Sequence, residues 1–376
     1  MNSPKRKIAV VVQKYGLIGG AEKLVQEMTE RIALNPRYDV HVLANQWTRQ
    51  SDRITFHKIP IVAFPRFMKP ISFAWFVRRK LSTIHFDLVH SHERIFQADI
   101  FSIHGLPHRT WVQHVRRKRM SLFDRATAQI EKRLINNGAC RAFLAVSTVT
   151  RDKYVREFAL DPNKVKVIHP GVAMEKFTNE NHEIRQLARS LYGISESDTV
   201  VLFVGMNFEI KGLDILMSAV AMAKSMNPSM SIKLLVVGKG NFRKYGALAS
   251  RLGLKDDVIF AGVLKEHVEN VYVAADIFSM LSKFDAFGLT VLEAMAAALP
   301  VIISTDVGAR DLVEEGVNGF TVEREDTSAI ASRISLLADR RVSAGLSRAA
   351  KATARRHTWE EMADKTTRVY ESLLRE

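Results

Sequence analysis

The 376 residues are enough for two domains, and no apolar run approaches the roughly 18 residues that span a bilayer. The apolar run at 8–12 follows a basic N-terminus but is too short for a signal peptide, and a single cysteine, Cys140, excludes an internal disulfide. We therefore expect a protein of a reducing, cytoplasmic compartment.

The net charge of +15 is concentrated in the first part of the chain. Residues 1–170 carry 30 Lys and Arg against 13 Asp and Glu, whereas the remainder is slightly acidic. Such a field attracts phospholipid, phosphorylated glycan or nucleic acid, although a solvated basic face without a partner is the alternative. No nucleic-acid-binding motif accompanies the charge, so nucleic acid is not an expected partner.

Apolar strand-like runs alternate with helical patterns along almost the whole chain. The pattern restarts after Pro170-Gly171, and the polar segment 178–198 is a candidate linker and first helix of a second domain. A repeated βα pattern predicts two doubly wound, Rossmann-like α/β domains facing each other across a cleft. Strands are predicted at 7–13, 39–44, 54–61, 87–91, 100–104, 142–146 and 165–168, and then at 199–205, 232–238, 258–261, 277–281 and 300–304.

Two acids eight positions apart, Asp285 and Glu293, are the most informative pair in the chain. Asp285 follows a predicted strand, and Glu293 lies about one turn inside the predicted helix 289–298. The start of that helix, after Gly288, offers free N–H groups to an anion. Amides and two carboxylates at the carboxyl end of a parallel sheet suit a sugar nucleotide, although each acid read singly could be a solvated residue.

Glycines and a lysine occupy other loops at the same predicted edge. Gly205 ends a strand, and Lys211 opens the next helix, where an ammonium group can meet the charge of a leaving diphosphate without a metal. Gly19-Gly20 follows the first strand and lets a ligand approach the backbone, although a tight turn is equally consistent. Neither a dinucleotide fingerprint nor a P-loop is present.

His104 ends a predicted strand and is a candidate contact for a transferred sugar. His90 and His92 lie near another strand end, and three histidines suggest a metal site. No carboxylate spacing supports that site, so we expect no metal.

Residues 65–80 and 111–119 interleave basic and aromatic side chains. This mixture favours an interfacial contact with an anionic membrane, whereas a core helix with a solvated basic end is the alternative. The predicted membrane- or acceptor-binding residues are Arg66, Lys69, Trp75, Arg78, Arg79, Lys80, Trp111, Arg116, Arg117, Lys118 and Arg119.

Together these features resemble a retaining GT-B glycosyltransferase of glycosyltransferase family 4, and within it the lipopolysaccharide core glucosyltransferases. The resemblance covers nearly the whole chain. The motifs that carry it are Gly19-Gly20-Ala21-Glu22, Ala145-Val146-Ser147, Ile168-His169-Pro170-Gly171-Val172, Phe203-Val204-Gly205, Lys211-Gly212 and Phe287-Gly288-Leu289 through Glu293-Ala294-Met295-Ala296, followed by Pro300-Val301-Ile302.

The resemblance implies a role for each matching residue. Glu293 would hold the ribose hydroxyls, Asp285 the hydroxyls of the donor sugar and Lys211 the diphosphate. Gly19 and Gly20 would close over the donor, and His104 would contact the sugar near its anomeric carbon. Further donor contacts would come from Gly205 and from the amides of Phe287, Gly288 and Leu289.

The chain departs from the family pattern at two positions. The first acid is usually Glu, whereas here it is Asp285, and this difference leaves the identity of the donor sugar undetermined. The arginine that the family often has about five residues before the lysine is replaced by Met206, for which Arg243 is a possible substitute.

The resemblance also implies an activity and a domain assignment. Residues 1–170 with 357–376 would bind the acceptor and residues 171–356 the nucleotide sugar, without a cofactor. The expected reaction moves a hexose, favoured as glucose from UDP-glucose, by front-face attack onto a lipopolysaccharide-core or other lipid-linked glycan, with the enzyme peripheral on the cytoplasmic face of the inner membrane. The alternatives are a soluble glycosyltransferase for a storage or compatible sugar, or a non-catalytic protein that binds sugar nucleotides or nucleic acid.

Overall fold

The alternation of apolar strands and amphipathic helices is realised as two separate parallel sheets, which confirms the predicted pair of α/β domains. The computed structural model describes residues 4–17, 19–48, 51–177, 182–264, 266 and 268–375. It divides into Met1–Gly171 with Trp359–Glu376, here called the first unit, and Val172–Thr358, the second unit.

The first unit is built on a seven-stranded sheet in the order β5-β3-β1-β6-β7-β8-β9, and β2 pairs separately with β4. All pairings are parallel. Strands buried on both faces must be apolar throughout, as Ile8, Ala9 and Val10 of β1 are. The strands are β1 Arg6–Val11, β2 Lys14–Tyr15, β3 Tyr38–Ala44, β4 Gln46–Trp47, β5 Ile54–Lys58, β6 Leu88–Ser91, β7 Ile100–Ile103, β8 Ala142–Ala145 and β9 Val165–Val167.

Helices cover this sheet with their apolar faces inward. In the first of them Leu24, Val25, Met28 and Ile32 are buried, at the spacing of one helical face. The helices are α1 Gly20–Ile32, α2 Met68–Leu81, α3 His108–Thr110, α4 Leu122–Asn136 and α5 Thr148–Phe158, with a π-helical turn at Trp111–Val115 and a 3-10 turn at Pro162–Lys164.

The second unit holds a six-stranded parallel sheet in the order β12-β11-β10-β13-β14-β15. Its edge strand β15 was not predicted, because it is only four residues long and begins at Gly319. The strands are β10 Thr199–Gly205, β11 Ile232–Gly238, β12 Val258–Gly262, β13 Ile277–Met280, β14 Val301–Ser304 and β15 Gly319–Val322.

The helices of the second unit include one from the segment that was a candidate linker. Residues 178–181 of that segment lie outside the described residues, and α6 follows them. Arg189 of α6 is buried and forms a 2.7 Å ion pair with Asp276, which ties α6 into the second unit. The helices are α6 His182–Ser190, α7 Leu213–Met226, α8 Phe242–Arg251, α9 Glu269–Ala274, α10 Leu289–Ala296, α11 Thr327–Ala338 and α12 Arg340–Arg355, with 3-10 turns at Met174–Phe177 and Gly308–Leu312.

The last helix, α13 at Trp359–Arg375, belongs to the first unit, where it packs against α1. Arg31 of α1 pairs with Glu360 at 2.6 Å, and the Tyr370 hydroxyl lies 2.7 Å from Nδ1 of His90. Within the described ranges, no helix combines the length and the apolar character that crossing a membrane requires.

Candidate active site

The strand order of the second sheet reverses at β10, whose neighbours are β11 on one side and β13 on the other. Loops that leave β10 and β13 therefore diverge, and open parallel sheets bind ligands in the crevice that this creates. The two loops are 206–212, which contains Lys211, and 281–288, which contains Asp285. The fold thus brings two of the predicted residues to the point where a ligand is expected.

Lys211 and Asp285 form an ion pair across this point. The side chains are 20% and 19% exposed, so the pair is largely screened from solvent but still reachable. The loops are also joined through their backbones, because the Lys283 amide donates to the Ile210 carbonyl at 2.8 Å.

Close backbone packing at this edge requires glycine. Gly238 ends β11 with φ +131°, and a Cβ there would lie 1.8 Å from the Gly205 carbonyl oxygen at the end of β10. Gly212, before α7, has φ +76°, and a Cβ there would lie 2.1 Å from the Leu281 carbonyl oxygen. A side chain at Gly238 would separate the ends of β11 and β10, and one at Gly212 would push the loops of Lys211 and Asp285 apart.

Asp285 is held in place by its own backbone. Its amide donates to the Asp306 carbonyl at 3.1 Å, and its carbonyl accepts from the Gly308 amide at 3.0 Å. Its Oδ1 accepts a hydrogen bond from the Phe287 amide at 3.3 Å. The carboxylate therefore has a fixed position beside the start of α10.

The start of α10 is open to an anion. Gly288 precedes it with φ +92°, and among the described residues no side chain caps this end of the helix. Uncapped N–H groups and the positive end of the helix dipole favour a negatively charged ligand. The predicted amides of Gly288 and Leu289 lie at this end, whereas the Phe287 amide already donates to Asp285.

Glu293 lies one turn inside α10, as predicted, and is oriented by a residue that sequence reasoning missed. Its Oε2 accepts a 3.0 Å hydrogen bond from the hydroxyl of Tyr272, on α9. Burial, and then the charge of Glu293, raise the pKa of Tyr272 well above its usual value, so the hydroxyl stays a donor.

A second missed residue supports the loop of Asp285. Arg324, just after β15, is 14% exposed and donates from Nε to the Leu281 carbonyl at 3.0 Å. Because β15 was not predicted, no signal connected this arginine with the site. Of the two departures from the family pattern, Asp285 lies in the site itself, whereas Met206 is 62% exposed. Arg243, the possible substitute for the missing arginine, is exposed in the first turn of α8.

In the first unit the half-buried His104 continues a row that begins with two buried histidines, His90 and His92. Its Nε2 lies 2.8 Å from Nδ1 of His92, and the rings of His92 and His90 are 4.2 Å apart. Burial, and then the positive charge of Arg94, lower the pKa of His104 to about 4, so the ring is neutral at pH 7. The described residues contain no cluster of His, Cys, Asp and Glu suited to a metal ion.

A buried ion pair beside this row was not predicted. Arg94 Nε lies 2.7 Å from Oε1 of Glu131, which is 1% exposed and also accepts from the Tyr154 hydroxyl at 2.7 Å. The other carboxylate oxygen accepts from the His108 amide at 2.7 Å. This pair fixes α4 against the loops that follow β6 and β7.

Gly19 and Gly20 lie at the start of α1, where Gly19 precedes the first turn in an extended conformation. A Cβ on Gly19 would lie 2.0 Å from the carboxylate of Glu22, a contact that the glutamate side chain could relieve by moving. Donor binding by Gly19, Gly20 and His104 stays a prediction.

The structure separates the predicted membrane-binding residues into exposed and partly buried side chains. Trp75 is 48% exposed with Arg79 over its ring, whereas Lys69, Lys80 and Trp111 are half-buried. The aromatic residues of this segment are not uniformly exposed, because Phe73 lies in the core. The exposed cations are Arg66, Arg78, Arg79, Arg116, Arg117, Lys118 and Arg119.

Two exposed apolar residues near these cations were not identified from the sequence. Phe64 is 85% exposed, and Leu122, at the start of α4, is 65% exposed. The segments that carry them meet where Arg66 lies over the ring of Phe123, at 5.9 Å. Exposed apolar side chains beside cations are typical of a membrane-facing surface.

Comparison with known proteins identifies both units. A model of Glycosyltransferase Family 4 matches residues 18–176, and a model of group 1 glycosyl transferases matches residues 198–340. The D-inositol 3-phosphate glycosyltransferase of Streptomyces scabiei is 30% identical over 312 residues, which are 76% of this chain and 68% of that protein.

Solved structures share the fold at low identity. WaaG, a glycosyltransferase involved in lipopolysaccharide biosynthesis, has a TM-score of 0.80 at 19% identity, covering 96% of this chain and 99% of that one. Anabaena HepE in complex with UDP and glucose has a TM-score of 0.72 at 19% identity, covering 98% and 100%.

Proposed function

Because this chain belongs to the family 4 glycosyltransferases, we propose that it is a retaining enzyme that transfers glucose from UDP-glucose to a phosphorylated, lipid-linked glycan. The observation that carries this proposal is the meeting of Lys211, Asp285 and the open start of α10 at the reversal point of the second sheet.

The second unit offers complementary groups for the diphosphate, the sugar and the ribose of a nucleotide sugar. The ammonium group of Lys211 and the amides at the start of α10 suit the diphosphate. The carboxylates of Asp285 and Glu293 suit the hydroxyls of the sugar and the ribose, since ionised acceptors form strong hydrogen bonds. The pairing of Lys211 with Asp285 keeps the lysine in place before a donor binds. No metal is needed in this arrangement.

The reaction we propose is a front-face displacement. The bond between the anomeric carbon and the leaving phosphate oxygen breaks, and that carbon bonds to the acceptor hydroxyl oxygen on the same face. The hydroxyl proton passes to the phosphate. The contribution of the protein is then positioning, together with stabilisation of the leaving diphosphate by Lys211.

The positive charge of the first unit supports the proposed acceptor and the proposed location at a membrane. The excess of cations in residues 1–170 favours an anionic acceptor and an anionic surface, here the cytoplasmic face of the inner membrane. The role of WaaG in lipopolysaccharide biosynthesis is consistent with this acceptor class. Exposed Phe64 and Leu122 add the apolar contacts that a peripheral enzyme uses.

A second candidate is transfer to a small, soluble phosphorylated acceptor. It is favoured by the relative named for D-inositol 3-phosphate. Flotation with anionic vesicles separates the two, since a soluble acceptor requires no membrane binding.

A thermal-shift screen with UDP-, GDP- and ADP-sugars tests the donor. A ligand that binds only the folded state raises the melting temperature, so UDP-glucose is expected to give the largest shift. The Glu293→Ala variant should lose most of that shift, whereas Tyr272→Phe, which keeps the carboxylate but removes its hydroxyl partner, should lose a smaller part. No shift with any nucleotide sugar would count against the proposal.

A further inference from the structure

The first unit contains a groove that the proposed donor site does not use. It has a volume of about 920 Å³ and lies between α4, the segment from α3 to residue 120, and the end of α5. This volume is within the range of ligand pockets, which is about 300–1,000 Å³. Four cationic side chains line it: Arg109, Arg119, Arg125 and Lys132.

The positive charge in the groove is not balanced. None of the four cations forms an ion pair with a carboxylate in the described part of the chain. Two acids also line the groove, but Glu131 is already paired with Arg94, and Glu157 accepts a hydrogen bond from Thr110. Four unpaired cations therefore face one uncompensated carboxylate, an arrangement that favours a polyanionic ligand.

The polar lining follows one face of α4. Arg125, Gln129, Lys132 and Asn136 recur at the spacing of one helical face and are exposed, whereas Ile130 packs into the core on the other side. The stripe contains amides as well as cations, so it can bind hydroxyl groups beside phosphates. Such a mixture suits a phosphorylated carbohydrate better than a plain anion.

We propose that this groove binds phosphate groups of the acceptor glycan. The inference rests on the proposed function for the existence of a phosphorylated acceptor, and it adds where that acceptor is recognised. Arginine is suited to this task because its planar guanidinium group makes paired hydrogen bonds to phosphate oxygens. The ligand class is a carbohydrate that carries more than one phosphate.

Calorimetric titration with inositol hexakisphosphate, a soluble polyphosphate, tests the groove at physiological salt. The double variant Arg125→Gln/Lys132→Gln should bind at least about tenfold more weakly, which corresponds to about 1.4 kcal/mol. A matched control, Arg156→Gln/Lys164→Gln, removes one arginine and one lysine that are exposed in the same unit but do not line the groove. It should bind about as well as the wild type.

Equal losses of affinity in the two double variants would overturn the proposal. They would indicate that the ligand responds to the overall positive charge of the unit and not to the groove. Unchanged binding in the groove variant would overturn it as well. All four substituted side chains are exposed, so melting temperatures should stay close to that of the wild type and exclude misfolding as the cause.

Vesicles containing phosphatidylglycerol distinguish a glycan phosphate from a lipid headgroup. The proposal expects the groove variant to bind such vesicles as the control variant does. A groove variant impaired only with vesicles would show that the groove binds lipid headgroups, which contradicts the assignment to the glycan.

The thermal shift with UDP-glucose is measured on the same proteins. Because the groove lies in the first unit, the groove variant should keep that shift. Suppose that the wild type binds polyphosphate in the groove but shows no thermal shift with a nucleotide sugar. That result would support the groove proposal and contradict the proposed donor. The opposite result would contradict only the groove.

Discussion

The ion pair of Lys211 and Asp285 stabilises both charges, and it also holds the lysine where a ligand could contact it. Each side chain of the pair neutralises the other, which limits the cost of holding two half-buried charges. A diphosphate brings its own negative charge, so the lysine can be shared between ligand and carboxylate. In the proposed reaction, the pair would therefore preorganise the lysine for the leaving group.

Replacing Lys211 should reduce transfer far more than it reduces folding. Loss of one preorganised electrostatic group typically lowers kcat by about 100- to 1,000-fold, and we expect Lys211→Ala to fall in that range. Lys211→Arg keeps the charge and should retain more activity. Steady-state transfer kinetics with melting curves check this, and near-normal kcat in a folded Lys211→Ala protein would contradict the role.

His92 should fix which nitrogen of His104 carries the proton. One of the two rings must donate in their 2.8 Å hydrogen bond, and Nε2 of His92 is buried without a partner among the described residues. An orphaned buried N–H is the rarer defect, so we expect His92 to donate from Nδ1 and His104 to be protonated on Nδ1.

Two-bond ¹⁵N–¹H spectra at pH 7 report this tautomer directly. His92→Asn, whose amide can replace the Nδ1 donor, should preserve the His104 tautomer and most of the activity. His92→Ala should lose both. A wild-type His104 protonated on Nε2 would show the argument to be wrong whatever the activity.

At the scale of elements, continuous apolar runs were the dependable signal. The strands β10 and β11 were predicted at their observed bounds, because each is a nearly continuous apolar run that ends at a glycine. The short edge strand β15 was not predicted, and the role of Arg324, which follows it, was therefore missed. Topology explains why Lys211 and Asp285 were predictable together, since both follow strands at one reversal point. Tyr272 was not, because a buried tyrosine on a short helix looks like core.

The row of histidines at the ends of β6 and β7 should make the first unit sensitive to acid. Burial lowers the pKa of His90 to about 3 and, with Arg94, that of His104 to about 4, whereas the unfolded chain titrates near its ordinary value of 6.5. Between pH 6.5 and 4 the unfolded state therefore binds protons that the native state does not, so stability falls as the pH falls. The loss is roughly 2 kcal/mol per histidine between pH 6.5 and 5.

Calorimetric melting at pH 7 and pH 5 measures this loss. His90→Gln should be less stable than the wild type at pH 7 but lose less on acidification. His85→Gln, at an exposed position, should follow the wild type. Glu93 opposes the trend, since its pKa is raised mainly by burial, so the comparison with variants isolates the histidine. Identical pH dependence in His90→Gln and the wild type would refute the argument.

At the scale of the whole molecule, the excess of positive charge lies in residues 1–170, and exposed apolar side chains accompany the cations there. Long-range attraction by cations is screened by salt, whereas insertion of apolar side chains is not. Phe64 and Leu122 would supply that unscreened part of membrane binding, beside the cations that supply the screened part.

The Phe64→Ser/Leu122→Ser variant should therefore separate the two contributions. We expect it to float with phosphatidylglycerol vesicles at low salt and to detach at high salt well before the wild type does. Leu187→Ser/Leu191→Ser provides the matched control, because these leucines are 64% and 68% exposed but belong to the second unit. Equal salt sensitivity of the two variants would mean that Phe64 and Leu122 do not enter the bilayer, and that any membrane binding is electrostatic alone.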